Sequence, residues 1–92
     1  MKATIIKRQR TMGGYRLYCK VNPRITREDG VRMQHIIVSM TKIDPSGWET
    51  HIFEANDDSS TVRSWDELEG SKKGKILPED LLRELGYEVD FL

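Results

Sequence analysis

Two histidines, His35 and His51, one cysteine, Cys19, and a run of cations near the N-terminus are the residues of this 92-residue chain whose types could do chemistry. Nucleophilic catalysis needs a nucleophile, a base and an orienting group that converge in space. Both histidines fall in segments that alternate like strands. Pairing a strand over 31–43 with one over 48–55 sets His51 opposite Met40, turned toward packing. Cys19 sits in the alternation Tyr15, Leu17, Cys19, Val21, the pattern of a buried small hydrophobe. A reactive thiolate needs an electropositive, accessible setting, and the nearby Arg16 and Lys20 belong to the opposite face of that strand. Cys19, His35 and His51 lack the close paired spacings of a zinc site. Asp57-Asp58 has no accompanying ligand pattern for a hard cation. Thr11-Met12-Gly13-Gly14 lacks the spacing of a glycine-rich phosphate loop and precedes a strand rather than a helix. No cofactor, metal ion or small-molecule substrate is expected, and the chain reads as a non-enzyme.

The cations carry a stronger signal. Lys2, Lys7, Arg8, Arg10, Arg16, Lys20, Arg24 and Arg27 occupy the first 27 positions with no acid among them. Residues 1–43 hold ten basic and two acidic side chains (10 − 2 = +8), and residues 44–92 hold five and thirteen (5 − 13 = −8), so the formal charge of zero hides a polarised chain. Such asymmetry points to an interaction surface. Arg8, Arg10, Arg16, Tyr18 and Lys20 flank a single turn at Gly13-Gly14, and hairpin closure is expected to gather them into one exposed contact surface. An outward Tyr18 among cations suits stacking on a base or a protein hot spot. Acids of the second half, among them Asp57, Asp58, Asp66, Glu67, Glu69, Glu79, Asp80, Glu84, Glu88 and Asp90, offer the converse face to a basic partner. The leading reading is a small accessory or regulatory domain that works by protein–protein interaction, with a second copy of the chain as one candidate partner. Nucleic-acid binding through the basic hairpin comes second, because autonomous nucleic-acid modules are generally net basic.

The elements that must position these residues follow from periodicity and turn chemistry. The length suits one domain, residues 1–92. Charged residues make up 33% of it, yet 37% are hydrophobic, enough to fold around one core. Alternation predicts a strand over 3–8, a turn over 9–14 and a strand over 15–21, followed by a polar loop over 22–30. A strand over 31–43 has two apolar phases, which calls for a central two-sided position or a bulge near Ile36-Ile37. Asp44-Pro45-Ser46-Gly47 has type I turn chemistry. A return strand over 48–55 in register Ile43 to Trp48 then puts Lys42 opposite Glu49 and Val38 opposite Phe53. Ser64 to Glu67 has capping-box spacing, and 70–74 reads as a connector. Leu77 to Gly86 reads as a helix, with Pro78 in its first turn and Gly86 as its C-terminal cap; Tyr87, Val89 and Phe91 then alternate as a short strand. The predicted fold is α+β: an antiparallel four-stranded meander sheet with one C-terminal helix packed on it and a short fifth strand. A half-open barrel whose last strand pairs with the first is the alternative. Leu17, Cys19, Val38, Phe53, Leu81 and Leu85 are the expected core.

The run Trp65-Asp66-Glu67-Leu68 followed by Leu85-Gly86-Tyr87 resembles the tails of small phage- or prophage-encoded proteins of unassigned function. That resemblance covers about a third of the chain and implies an accessory role in a bacterial cell, without site residues. No apolar run approaches the ~18 residues of a membrane span, and residues 1–10 hold only the apolar pair Ile5-Ile6, so neither a span nor a signal peptide is expected. One cysteine allows no intrachain disulfide. A reducing, cytoplasmic setting is expected.

Overall fold

Alternating apolar residues make the sheet. The computed structural model describes residues 1–42, 47–56, 62–64, 67–68 and 70–92. Among them the strands are β1 (Lys2–Arg10), β2 (Tyr15–Thr26), β3 (Arg32–Lys42), β4 (Trp48–Ala55), β5 (Val62–Ser64), β6 (Lys72–Lys73) and β7 (Glu88–Phe91), with one helix, α1 (Pro78–Glu84), before β7. They form a single sheet in the order β5-β4-β3-β2-β1-β7, and β6 also pairs with β4. β1 to β4 run antiparallel to their neighbours, but β7 lies parallel to β1, with Lys2 opposite Glu88 and Ile5 opposite Phe91. The expected four-stranded antiparallel meander with one extra strand is therefore corrected to a seven-stranded mixed sheet. β5 and β6, of three and two residues, are too short to carry a period. β7 enters the sheet through α1, the kind of helical connection by which a strand can come to lie parallel to its neighbour. The last strand does pair with the first, but the order is an open path with β5 and β7 at its ends, not a closed barrel.

Two further expectations change. β2 does not stop at Asn22-Pro23 but continues to Thr26. Its pairing with β3 jumps from Lys20↔His35 to Ile25↔Met33, and a proline is tolerated in a strand at such an irregularity. The β3–β4 register is one residue away from that expected: Lys42 faces Trp48, Val38 faces Ile52, and Ile37 faces Phe53. The predicted turn falls largely outside the described residues, as do Asp57-Asp58 and the Trp65-Asp66 part of the capping box. Ser64 ends β5, and Glu67 and Leu68 are not helical.

Each face of the sheet buries its own apolar set. Ala3, Ile5, Leu17, Cys19, Val21, Ile36, Val38 and Ile52 pack against Leu81 and Leu82 of α1 in the main core. Tyr18, Ile37 and Ala55, with Val62 against them, form a smaller cluster. β3 contributes to both, as its two apolar phases require. α1 begins with Pro78 inside its first turn and carries Glu79 and Asp80 there, where the helix dipole favours acids. Gly86 follows its end at φ 96°, a left-handed conformation that glycine accepts at no steric cost. No described helix is long and apolar enough to cross a membrane.

Leu81 is fully buried, whereas Leu85 is half-buried at the rim of the core. Leu81→Ala should cost about 2–5 kcal/mol of unfolding free energy and Leu85→Ala clearly less, measured by urea denaturation of both variants beside the wild type.

Candidate functional site

Cross-strand partners share a face of the sheet, so the registers place the sequence-derived contact residues. Between Ile5↔Cys19 and Lys7↔Tyr18 the strand β1 gains one residue on β2, with Ile6 as the extra residue. This bulge reverses the phase of β1 beyond it. Arg8 then faces Leu17 and Arg10 faces Tyr15, on the helix side, and Lys7 and Gln9 face Tyr18 and Arg16 on the other side. The expected single surface is thereby divided. Arg8 and Arg10 belong to the α1 side, where the Arg8 guanidinium sits 4.2 Å from the centre of the Tyr15 ring. Arg16, Tyr18 and Lys20 belong to the face that no described helix or strand covers.

Tyr18 also departs from expectation, since only 2% of it is exposed. The Lys7 ammonium lies 4.7 Å from its ring centre, and its hydroxyl donates to Gln9 Oε1 at 3.1 Å. Ile37 is its neighbour on β3. Tyr18 is thus a core residue of the second cluster rather than an outward anchor. Arg8, Arg10 and Lys20 are exposed and Arg16 is half-buried. None of these four, nor Lys7, has a carboxylate within ion-pair distance among the described residues. Other cations of the basic half are matched to the acidic half, Lys2 with Asp90 at 2.7 Å and Arg27 with the buried Glu54 at 2.7 Å.

The uncovered face is ordered in rows. One row runs Gln9, Arg16, Ser39, His51; the next runs Lys7, Tyr18, Ile37, Phe53; Lys20 and His35 pair beyond it. Burial usually requires a polar atom to find a partner, because an unpaired group loses its hydration with nothing in return. Arg16 Nε, His35 Nδ1 and His51 Nδ1 are buried without a hydrogen-bond partner, and all three side chains project from this face. Its far end is acidic. Glu49, two residues before His51 on β4, brings Oε2 within 2.6 Å of His51 Nε2, and Glu67, after β5, brings Oε1 within 2.7 Å of Nδ1. The His51 ring stacks on Phe53, with centroids 5.5 Å apart. The face therefore grades from unpaired cations on β1 and β2 to carboxylates beyond β4.

Against protein-family models, curated proteins and solved structures, the chain finds no match. The reading of the site therefore rests on geometry.

On the helix side an open depression of about 1130 Å³ is lined mainly by apolar groups, including Ile25, Met33, Ile52 and Leu85. Arg27 in its wall is already bonded to Glu54 and to Asp29. The Asp29 carboxylate accepts from the backbone N–H of Val31 and from Arg27, which lowers its pKa below the ordinary carboxylate value. Sequence reasoning passed over Glu49, His51 and Glu67 as a group. The Glu-x-His spacing on one strand was the available signal, since residues two apart share a face.

Cys19 is wholly buried, and burial pushes its thiol up from 9.0 to about 12. Burial also raises the Tyr15 phenol well above 10.0, reinforced by its hydrogen bond to Glu79. Both groups are held neutral in the fold, so their contribution to stability is full below their unfolded pKa values and is lost as pH rises through the folded ones. Stability should decline as pH climbs from 9 toward 12. In Cys19→Ala the decline should be shallower, with the Tyr15 part remaining. Urea midpoints at stepped alkaline pH check this, and a thiol reagent should leave native Cys19 unmodified at neutral pH.

Proposed function

We propose that this chain is a non-enzymatic protein–protein interaction domain whose uncovered sheet face is its contact surface, and that the face pairs with a second copy of itself. The carrying observation is the charge gradient along that face, from Lys7, Arg16 and Lys20, which meet no carboxylate among the described residues, to Glu49 and Glu67. A two-fold axis lying in the plane of the interface, perpendicular to the gradient, sets the cationic end of each copy over the acidic end of the other, which is the self-complementarity an isologous dimer needs.

The same observations weigh against nucleic acid as the partner. A sheet that binds single strands presents exposed rings for bases to stack on, whereas Tyr18 is 2% and Phe53 9% exposed. The glutamates at one end of the face would repel phosphates. The nucleic-acid reading keeps only the cations, now divided between two faces.

Sedimentation of the purified wild type at low ionic strength should give a dimer that loosens with added salt, since screening shortens the reach of such charges. Lys20→Glu and Glu67→Lys, both at exposed positions, should each weaken self-association by about tenfold or more, through like-charge contacts. Mixing the two variants should restore it, because each chain then supplies the charge the other lacks. A wild type that stays monomeric at low salt, or a mixture no tighter than its components, overturns the reading. Single-stranded DNA bound by the wild type and released by Lys20→Glu would replace it with the nucleic-acid reading.

A further inference from the structure

We propose that Glu49, His51 and Glu67 form a binding site for one divalent transition-metal ion of the zinc class. One ligand atom from each residue lies within 4.8 Å of the other two. Glu49 and His51 alternate onto one face of β4, and Glu67 closes the group from the segment after β5.

The contacts are those of ligands short of their ion rather than of a finished hydrogen-bond network. His51 Nδ1 has the Glu67 oxygen 2.7 Å away, and yet it is buried with no hydrogen-bond partner. The carboxylate approaches it off the direction of a hydrogen bond. What nitrogen and oxygen then share is the space between them, toward which lone pairs can be directed. Zinc bonds of roughly 2.0–2.2 Å to nitrogen and oxygen put tetrahedral ligand atoms about 3.4 Å apart. An ion takes only one imidazole nitrogen, and Glu49 now sits at Nε2 (2.6 Å) while Glu67 sits at Nδ1 (2.7 Å), so closing the site requires one carboxylate to swing along the ring edge, within a group whose ligand atoms already lie within 4.8 Å of one another.

Charge and donor type narrow the ion. Two carboxylates neutralise a dication, and the imidazole favours zinc, copper or nickel over magnesium and calcium, which prefer all-oxygen shells. The stack on Phe53 restricts the imidazole plane. Three protein ligands leave a fourth tetrahedral position open to water or to an incoming group.

The site does not rest on the dimer reading. Ion binding would neutralise Glu49 and Glu67 and so loosen self-association, and the test is run on dilute chain in buffer of moderate salt. Titrating zinc chloride into metal-free protein, followed by calorimetry and by the thermal midpoint, should show one saturable equivalent per chain and a rise in the midpoint. Magnesium chloride at the same concentrations should do neither. His51→Ala should abolish saturable binding, and Glu67→Gln, at a 56% exposed side chain, should weaken it by about tenfold or more with an unchanged circular dichroism spectrum. Absence of saturable zinc binding up to ~1 mM, or binding that Glu67→Gln and His51→Ala leave intact, overturns the proposal.

Discussion

β3 is buried on both faces, and most of the molecule is arranged around that fact. Ile36 and Val38 point into the core under α1, and Ile37 points into the cluster with Tyr18 and Ala55. A strand with one solvated face can tolerate some ambiguity of register, but one with apolar demand on both sides cannot. Moving β4 by one residue would carry every side chain of β4 to the wrong side. The observed pairing of Ile37 with Phe53 and Val38 with Ile52 satisfies both faces together. It also decides the chemistry, because the same alternation sends Glu49 and His51 to the uncovered face and Thr50 inward, where its hydroxyl donates to Ile76 O at 2.9 Å.

The bulge at Ile6 is the second determinant. Without it, the residues after Ile5 would keep their phase and Lys7 would face the helix side beside Leu17 and Cys19, where a charge has no place. With it, Lys7 rests on the Tyr18 ring and Arg8 on the Tyr15 ring. Each cation gives up little hydration and covers aromatic surface in return. The cost is that no single patch holds all the hairpin cations. What results instead is a polarised face whose two ends carry opposite charge.

The parts legible in the sequence are those set by period and turn chemistry. The alternation from Tyr15 to Val21, the two apolar phases of β3, the helix opened by Pro78 and closed at Gly86, and the antiparallel pairing of β3 with β4 all followed from local rules. Three things did not. A register is a relation between strands: the charge pair favoured Lys42 opposite Glu49, whereas the apolar demand on both faces of β3 sets Lys42 opposite Trp48. A bulge inserts one residue without a mark in composition, so the division of Arg8 and Arg10 from Arg16 and Lys20 was hidden. Glu67 lies 16 positions beyond His51 in a short irregular segment, and only the return of the chain along β5 brings it to the imidazole. Tyr18 failed as an outward anchor for a related reason: its neighbour Ile37, a strand away, supplies the apolar surface that draws it in.

The parallel pairing of β7 with β1 joins the two ends of the chain in one ladder, closed by the bonds from Glu88 N–H to Met1 O and from Leu92 N–H to Ile5 O. On the ribosome those partners appear at opposite times. β1 can fold against β2 as soon as the first hairpin emerges, but its outer edge then stays bare, with amides and carbonyls open to any passing strand, until β7 follows. β7 is made after the other described strands, and until it arrives the lysines and arginines of β1 are the side chains that discourage that edge from pairing with another chain.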